Sequence, residues 1–227
     1  WADFGKDFYA AVTWSDVPTE DGRCLWIGWM SNWQYANDVP TSPWRSAMTL
    51  PRELSLRRVG DSCNLVQRPV RELTRLRVGS PVALAGDSAE GIGRVALGNH
   101  YELSGGFEVD DEARWTVGFL VGDGESTDVT FDMRRQRVVL DRRRSGEVEF
   151  SRHFPVRMEA PLRAVAGRVR VRAFVDASSI ELFLQDGETV LTSLVLPGPE
   201  STGFRFQPER GVRSANLKAW KLRSIWR

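Results

Sequence analysis

Residues 23–53 read RCLWIGWMSNWQYANDVPTSPWRSAMTLPRE and carry four of the chain's nine tryptophans, Trp26, Trp29, Trp33 and Trp44. The stretch opens as a strand. Leu25, Ile27 and Trp29 alternate with Trp26, Gly28 and Met30, and both rows are apolar, which predicts a strand covered on both sides. Ser31-Asn32 and Asn37-Asp38-Val39-Pro40 then supply turn chemistry, Thr41-Ser42-Pro43 continues the loop, and 47–50 resumes an extended run that Pro51 stops. An aromatic strand that opens into an Asn/Gln/Trp loop suits a sugar platform. Indole faces take the C–H faces of a ring, while amides bond its hydroxyls. The same tryptophans also read as core, and for Trp26 and Trp44 core is the better reading. Trp33, in the loop, is preferred over strand-borne Trp29 as the platform, because a large exposed indole needs a reason. Asn32 and Gln34 beside it are candidate polar contacts.

Bulk properties exclude more than they specify. The chain has 227 residues, 31 Lys+Arg against 30 Asp+Glu, and a net charge of +1, so nothing draws it to nucleic acid or an anionic membrane. No run of 18 apolar residues exists to span a bilayer. The chain opens on Trp1, within a strand-and-turn pattern and without Met, so a native start is not expected there. Cys24 and Cys63 fit no metal spacing. Cys24 is expected to be a buried free thiol.

Outward from the opening stretch, the chain reads as all-β. Asp7 to Trp14 and Leu25 to Met30 form a hairpin across the Asp21-Gly22 turn, and Ala47 to Leu56 supplies a further strand. The pattern turns charged at Arg57-Arg58, so a division is expected there: 1–58 as one unit, 59–227 as a linker and a second domain. Residues 65–77, LVQRPVRELTRLR, read as a strand broken at Pro69 and then a short helical turn. Beyond Val78 the signals are short strands: 82–85, 93–97, 101–109, 114–121, 127–132, 136–141, 162–165, 169–176, 179–185 and 189–196. Turns at Gly105-Gly106, 122–124 and Asp186-Gly187 separate them, and the spacing predicts a two-sheet β-sandwich.

Two segments of the first unit, DFGKDFYAA (3–11) and GWMSNWQYANDVPTSPWRSAMTLPREL (28–54), resemble the late-propeller segment of glycoside hydrolase family 32, the fructan- and sucrose-cleaving enzymes. YELSGGF (101–107), VVLDRRRSG (138–146) and FVDASSIELFLQDGETVLTSLVLP (174–197) are similar to motifs of that family's C-terminal β-sandwich. The resemblance implies a partial five-bladed β-propeller, its terminal blade region, followed by a β-sandwich. One blade and a fragment cannot close a propeller ring, so the remainder is expected upstream, as the missing N-terminal propeller part. In the family the Asp and Lys of a D-x-G-K turn face the sugar pocket. Asp3 and Lys6 match those positions, and a carboxylate is a pure acceptor for vicinal hydroxyls. A tryptophan of the 29–33 segment walls the fructose pocket in the bacterial and fungal branches.

The resemblance also locates what is lacking. Retaining glycosidases need two carboxyl groups roughly 5–5.5 Å apart. The family carries its nucleophile in W-x-N-D-P-N-G, a stabilising Asp in R-D-P and its acid/base in E-C. None of these motifs occurs here. They are expected upstream, so the chain alone is expected to be inactive, and it holds no catalytic residue of its own. Asp141, Asp176 and Glu181 sit in the sandwich pattern and match no catalytic motif. The arginines at 134, 135, 137 and 142–144 read as an exposed strand end with salt links, not an anion site. His100 and His153 are isolated and read as structural, without a Ser-His or zinc constellation.

The expected function is therefore the C-terminal part of a β-fructofuranosidase that releases terminal fructosyl units from sucrose, inulin or levan with retention, using no cofactor and no metal. The competing reading is a non-catalytic sandwich module for domain packing, homodimer formation or glycan binding. The compartment, secreted or cytoplasmic, stays open.

Overall fold

The computed structural model describes residues 1–87 and 91–226. Among the described residues, fifteen strands fall into two hydrogen-bonded sheet systems. The first holds β1 (Tyr9–Thr13), β2 (Cys24–Met30), β3 (Ala47–Met48), β4 (Arg52–Val59) and β5 (Ser62–Pro69). All pair antiparallel in the order β1-β2-β4-β5, with β3 beside β2. Residue 58, where the charge pattern suggested a division, lies inside β4. The β4–β5 hairpin stays in the first sheet through Pro69, because its charged side chains are those of an exposed hairpin and not of a linker. A 3-10 helix over Arg71–Leu76 then leads away, as the 65–77 pattern suggested.

The second system contains β6 (Arg77–Asp87), β7 (Ile92–Ala96), β8 (Tyr101–Val121), β9 (Ser126–Asp132), β10 (Arg137–Arg144), β11 (Arg157–Pro161), β12 (Arg168–Asp176), β13 (Ser179–Leu184), β14 (Thr189–Leu194) and β15 (Gly203–Leu222). Two long strands make the sandwich. The first half of β8 pairs with β12 and its second half with β9, while β15 runs beside β8 throughout. β15 also pairs with β7 near its start and with β6 near its end, and its register slips between Pro208 and Ser214. Each long strand therefore serves both layers, bending between them.

That arrangement corrects four readings. The runs 101–109 and 114–121 are one strand, and β15 was absent from the pattern-based list. Gly105-Gly106 is not a turn: a Cβ on Gly105 would sit 2.1 Å from the Asn216 carbonyl oxygen, so the glycine lets β15 approach. The strand expected at 162–165 lies earlier, as β11.

Between the layers lies one apolar core, with Trp115 stacked on Phe131 at 4.6 Å and both residues fully buried. The β13–β14 hairpin turns where Asp186-Gly187 predicted, with positive φ at Gln185, Asp186 and Gly187. Along β13, Ile180, Leu182 and Leu184 enter this core, while Phe183 packs with Val190 and Phe174 against Leu50 and Leu73. Alternation thus gives the hairpin a second buried face, turned to the first sheet. Residues 3–7 run along the outer edge of β14, with Phe4 N–H donating to Val190 O (2.9 Å) and Asp7 N–H to Thr192 O (3.3 Å). This closes an edge that would otherwise expose unpaired backbone groups.

Candidate functional site

The seam between the two sheet systems is built around two arginines, one from each side, both fully buried. Arg52 opens β4. Its Nη1 donates to Asp3 Oδ2 (2.9 Å) and Gln67 Oε1 (2.8 Å), and its Nη2 to Glu181 Oε2 (2.7 Å) and Thr192 Oγ1 (2.6 Å). Its guanidinium carbon lies 4.5 Å from the Phe8 ring centroid and 5.2 Å from that of Phe183. Arg142, from β10, continues the inward row of Val138 and Leu140. Its Nη1 donates to Asp7 Oδ2 (2.5 Å) and Leu194 O (3.1 Å), its Nη2 to Tyr35 Oη (2.8 Å) and its Nε to Phe154 O (2.7 Å). A planar fork with five donors is what lets one side chain satisfy so many buried acceptors.

One expectation fails at this seam. Arg142 is not part of an exposed strand end. Arg143 and Arg144 beside it are exposed and face carboxylates on the other side of the strand, as read. Asp3, expected at a sugar pocket, is engaged within the seam. Its Oδ1 accepts Gly5 N–H (2.7 Å) and Thr192 N–H (2.9 Å), and its Oδ2 accepts Arg52 and the Thr192 hydroxyl (2.7 Å). Four bonds occupy the lone-pair positions a carboxylate offers, and burial excludes a further partner. Gly5 serves the same docking: a Cβ there would lie 2.0 Å from Thr192 O. Lys6 does not converge with Asp3. Its ammonium donates to His153 O (3.0 Å), and partial burial, then the Arg142 charge, lower its pKa.

Outside the seam the aromatic stretch does assemble a surface. Cross-strand pairing sets Tyr9 opposite Trp29, with ring centroids 6.1 Å apart, and the Trp29 and Trp33 rings lie 4.9 Å apart at 51°. Trp33 is 69% exposed and Tyr9 54%. Tyr9 belongs to this shelf and sequence reasoning left it out, although its alternation with the half-buried Phe8 was the available signal. Asn32 braces the loop. Its Oδ1 accepts Gln34 N–H (3.0 Å) and its Nδ2 donates to Lys6 O (2.9 Å), which ties the two candidate segments together. Trp44, read as core, is exposed, Trp26 is half-buried against Phe8, and β2 is only half-covered. Cys24 is exposed, not buried, because it starts β2 where the hairpin projects.

A groove of about 580 Å³ also lies on the sandwich, lined by six arginines and three aspartates of β8, β9, β10, β11 and β15. The carboxylates are occupied: Asp141 accepts from Arg143 and Arg157, Asp128 from Arg205, and Asp132 from Arg114 and Arg135. At Asp141 partial burial raises the pKa, but the bonds from Arg143 and Arg157 outweigh it and hold the group at about 2. Glu181 in the seam is the reverse case. Burial pushes its pKa up, against the pull of Arg52 and the Leu50 N–H.

Comparison with known proteins accounts for this architecture. Residues 1–69 match the model of the glycosyl hydrolases family 32 N-terminal domain, and residues 72–221 the model of the family 32 C-terminal domain. The levanase of Bacillus subtilis is 43% identical over 242 aligned residues, covering 100% of this chain and 34% of that enzyme. The extracellular exo-inulinase of Aspergillus awamori is 31% identical, with 100% and 43% covered. A crystal structure of exo-inulinase from the same fungus superposes with a TM-score of 0.90 at 30% identity, over all of this chain and 45% of that one. The chain thus spans between a third and a half of the length of these relatives. Its fold, the end of a five-bladed propeller followed by a β-sandwich, is the fold of such enzymes. The chain belongs to glycoside hydrolase family 32.

Proposed function

We propose that this chain is the carboxyl-side part of a longer β-fructosidase that hydrolyses terminal fructosyl bonds of sucrose, inulin or levan with retention of configuration. The carrying observation is the 43% identity to a levanase, sustained over the whole chain. In this reading the residues through Pro69 complete a propeller and those from Arg77 form a sandwich that holds it. The carboxylates that break the glycosidic bond come from the part of the protein outside this chain, since none here sits in a family catalytic motif. Trp33 and Trp29 present their rings to fructose, with Tyr9 extending the shelf. Lys6 keeps ammonium hydrogens beyond the one given to His153 O. Asn32 acts through the loop it braces. Asp3 has no part in sugar binding in this reading.

The test is fructose release from sucrose, inulin and levan by the full-length gene product and by this chain alone. Hydrolysis is expected from the first and none from the second, because loss of acid–base catalysis alone costs about 10²–10⁴-fold. Release by the isolated chain, abolished by substituting one of its own carboxylates, would overturn the reading. So would a folded full-length protein inert on all three sugars.

A further inference from the structure

We infer that the β-sandwich sets the conformation of the sugar-facing loop, with Arg142 and Tyr35 as positioning residues. The inference rests on the proposal that Trp33 faces fructose.

The loop after β2 folds in two directions at once. Tyr35 N–H and Ala36 N–H both donate to Asn32 O (3.0 and 2.9 Å), so residues 32–36 form a tight turn. That turn sends Trp33 outward and Tyr35, 1% exposed, inward. The Tyr35 ring meets Phe154 of the sandwich edge to face at 5.3 Å, within a small apolar cluster that also holds Met30, Val39 and Leu194. Its hydroxyl donates to Asp7 Oδ1 (2.5 Å) and accepts from Arg142. Burial, reinforced by the Asp7 charge, pushes the phenol pKa well up, so it stays a neutral donor. One guanidinium of the sandwich therefore holds Asp7, the neighbour of Lys6, and Tyr35, two residues past Trp33. Asn32 closes the circuit through Lys6 O. No backbone pair of the first sheet reaches Trp33, whose nearest paired strand residue is Met30, and the sheet's contact with it is the Trp29 ring. The anchor is borrowed from the other domain.

Misplacing a binding group by about 1 Å costs on the order of 10²-fold in rate. The experiment uses the full-length protein carrying Tyr35→Phe, which keeps the ring and loses the hydroxyl, and Arg142→Lys, which keeps the charge and loses the fork. Thr192→Val is the control: it cuts the Arg52 clamp isosterically and touches neither the loop nor Trp33. Tyr35→Phe is expected to raise both KM and the fructose inhibition constant about tenfold, with Arg142→Lys at least as severe. In protein labelled with 5-fluorotryptophan, the Trp33 ¹⁹F resonance, assigned by its loss in Trp33→Phe, should shift and broaden in both variants. Thr192→Val should lower Tm and leave KM, the inhibition constant and the resonance unchanged. If Arg142→Lys does not fold, Tyr35→Phe decides. Folded variants with wild-type KM and an unmoved resonance would overturn the inference, as would a Thr192→Val protein that shifts them equally. If the wild type releases no fructose, the functional reading fails by itself, and the resonance still decides the positioning.

Discussion

The seam and the outward faces of this molecule handle charge in opposite ways. In the seam, Arg52 and Arg142 are fully buried and each meets carboxylates, hydroxyls, carbonyls and aromatic faces at once. On the groove face, arginines of the same strand and its neighbours are one-third to two-thirds exposed, with Arg114, Arg143 and Arg157 pairing with shared aspartates and Arg137 with Glu159. Arg142 and Arg143 are adjacent in sequence and stand on opposite sides of this divide. A buried guanidinium surrounded by partners holds parts together because removing it strands several polar groups without water. An exposed one can be replaced by solvent. The difference teaches that charge in the sandwich serves docking on one face and only surface pairing on the other.

The largest expected effect breaks the comparison at that adjacent pair. Arg142→Met should destabilise the protein by about 3–5 kcal/mol, because Asp7 is left buried without its counter-charge. Arg143→Met should leave the unfolding midpoint where it is. Thermal or denaturant unfolding of both variants checks this, and equal midpoints would erase the distinction between the faces.

Next comes the aromatic shelf. Trp33 is mostly exposed, so Trp33→Ala should leave Tm nearly unchanged. An aromatic contact is worth roughly 0.5–1.5 kcal/mol, so KM for a fructosyl substrate should rise several-fold, up to about tenfold. A fall in Tm with unchanged kinetics in the surviving enzyme would make Trp33 a packing residue.

A smaller effect sharpens the electrostatic contrast. Burial raises Glu181's pKa above the ordinary 4.5, so the folded state favours the protonated carboxyl. Its contribution to stability is fully present below about pH 4.5 and is lost as pH rises through the raised folded value. Unfolding free energy measured across this range should decline less steeply with rising pH in Glu181→Gln than in the wild type. An unchanged slope would remove Glu181 as the cause.

The smallest effect has the opposite sign. Asp141 is held at about 2 against an ordinary 3.8, so its contribution is present above pH 3.8 and lost as pH falls toward 2. Asp141→Asn should flatten the acid limb of the stability profile and lower neutral-pH stability modestly, because its partly exposed pairs with Arg143 and Arg157 are screened by solvent. An acid limb as steep as that of the wild type would assign the loss to other carboxylates.

Local chemistry by itself determined much of this protein. Alternation and turn residues marked the β1–β2 hairpin, the β13–β14 hairpin with its left-handed Asp186-Gly187 turn and the all-β class, because these depend on side chains a few positions apart; the family was legible only as a resemblance of whole motifs. The exposed Trp33 was legible for the same reason: a bulky indole among Asn, Gln and Tyr in a turn-rich segment. Tertiary structure decided the rest. Asp3 and Thr192 are 189 positions apart, and no local pattern shows that four donors will converge on one carboxylate. Arg142 looks like its neighbours in RRR; alternation puts it in the row of Val138 and Leu140, but only the packing of β10 against the first sheet supplies the buried partners that row meets. The bend that lets β8 and β15 serve two layers likewise depends on strands about a hundred residues distant. Periodicity reports which face of a strand is apolar. It does not report what lies opposite, and at a domain seam what lies opposite sets whether a charged side chain is a surface group or an anchor.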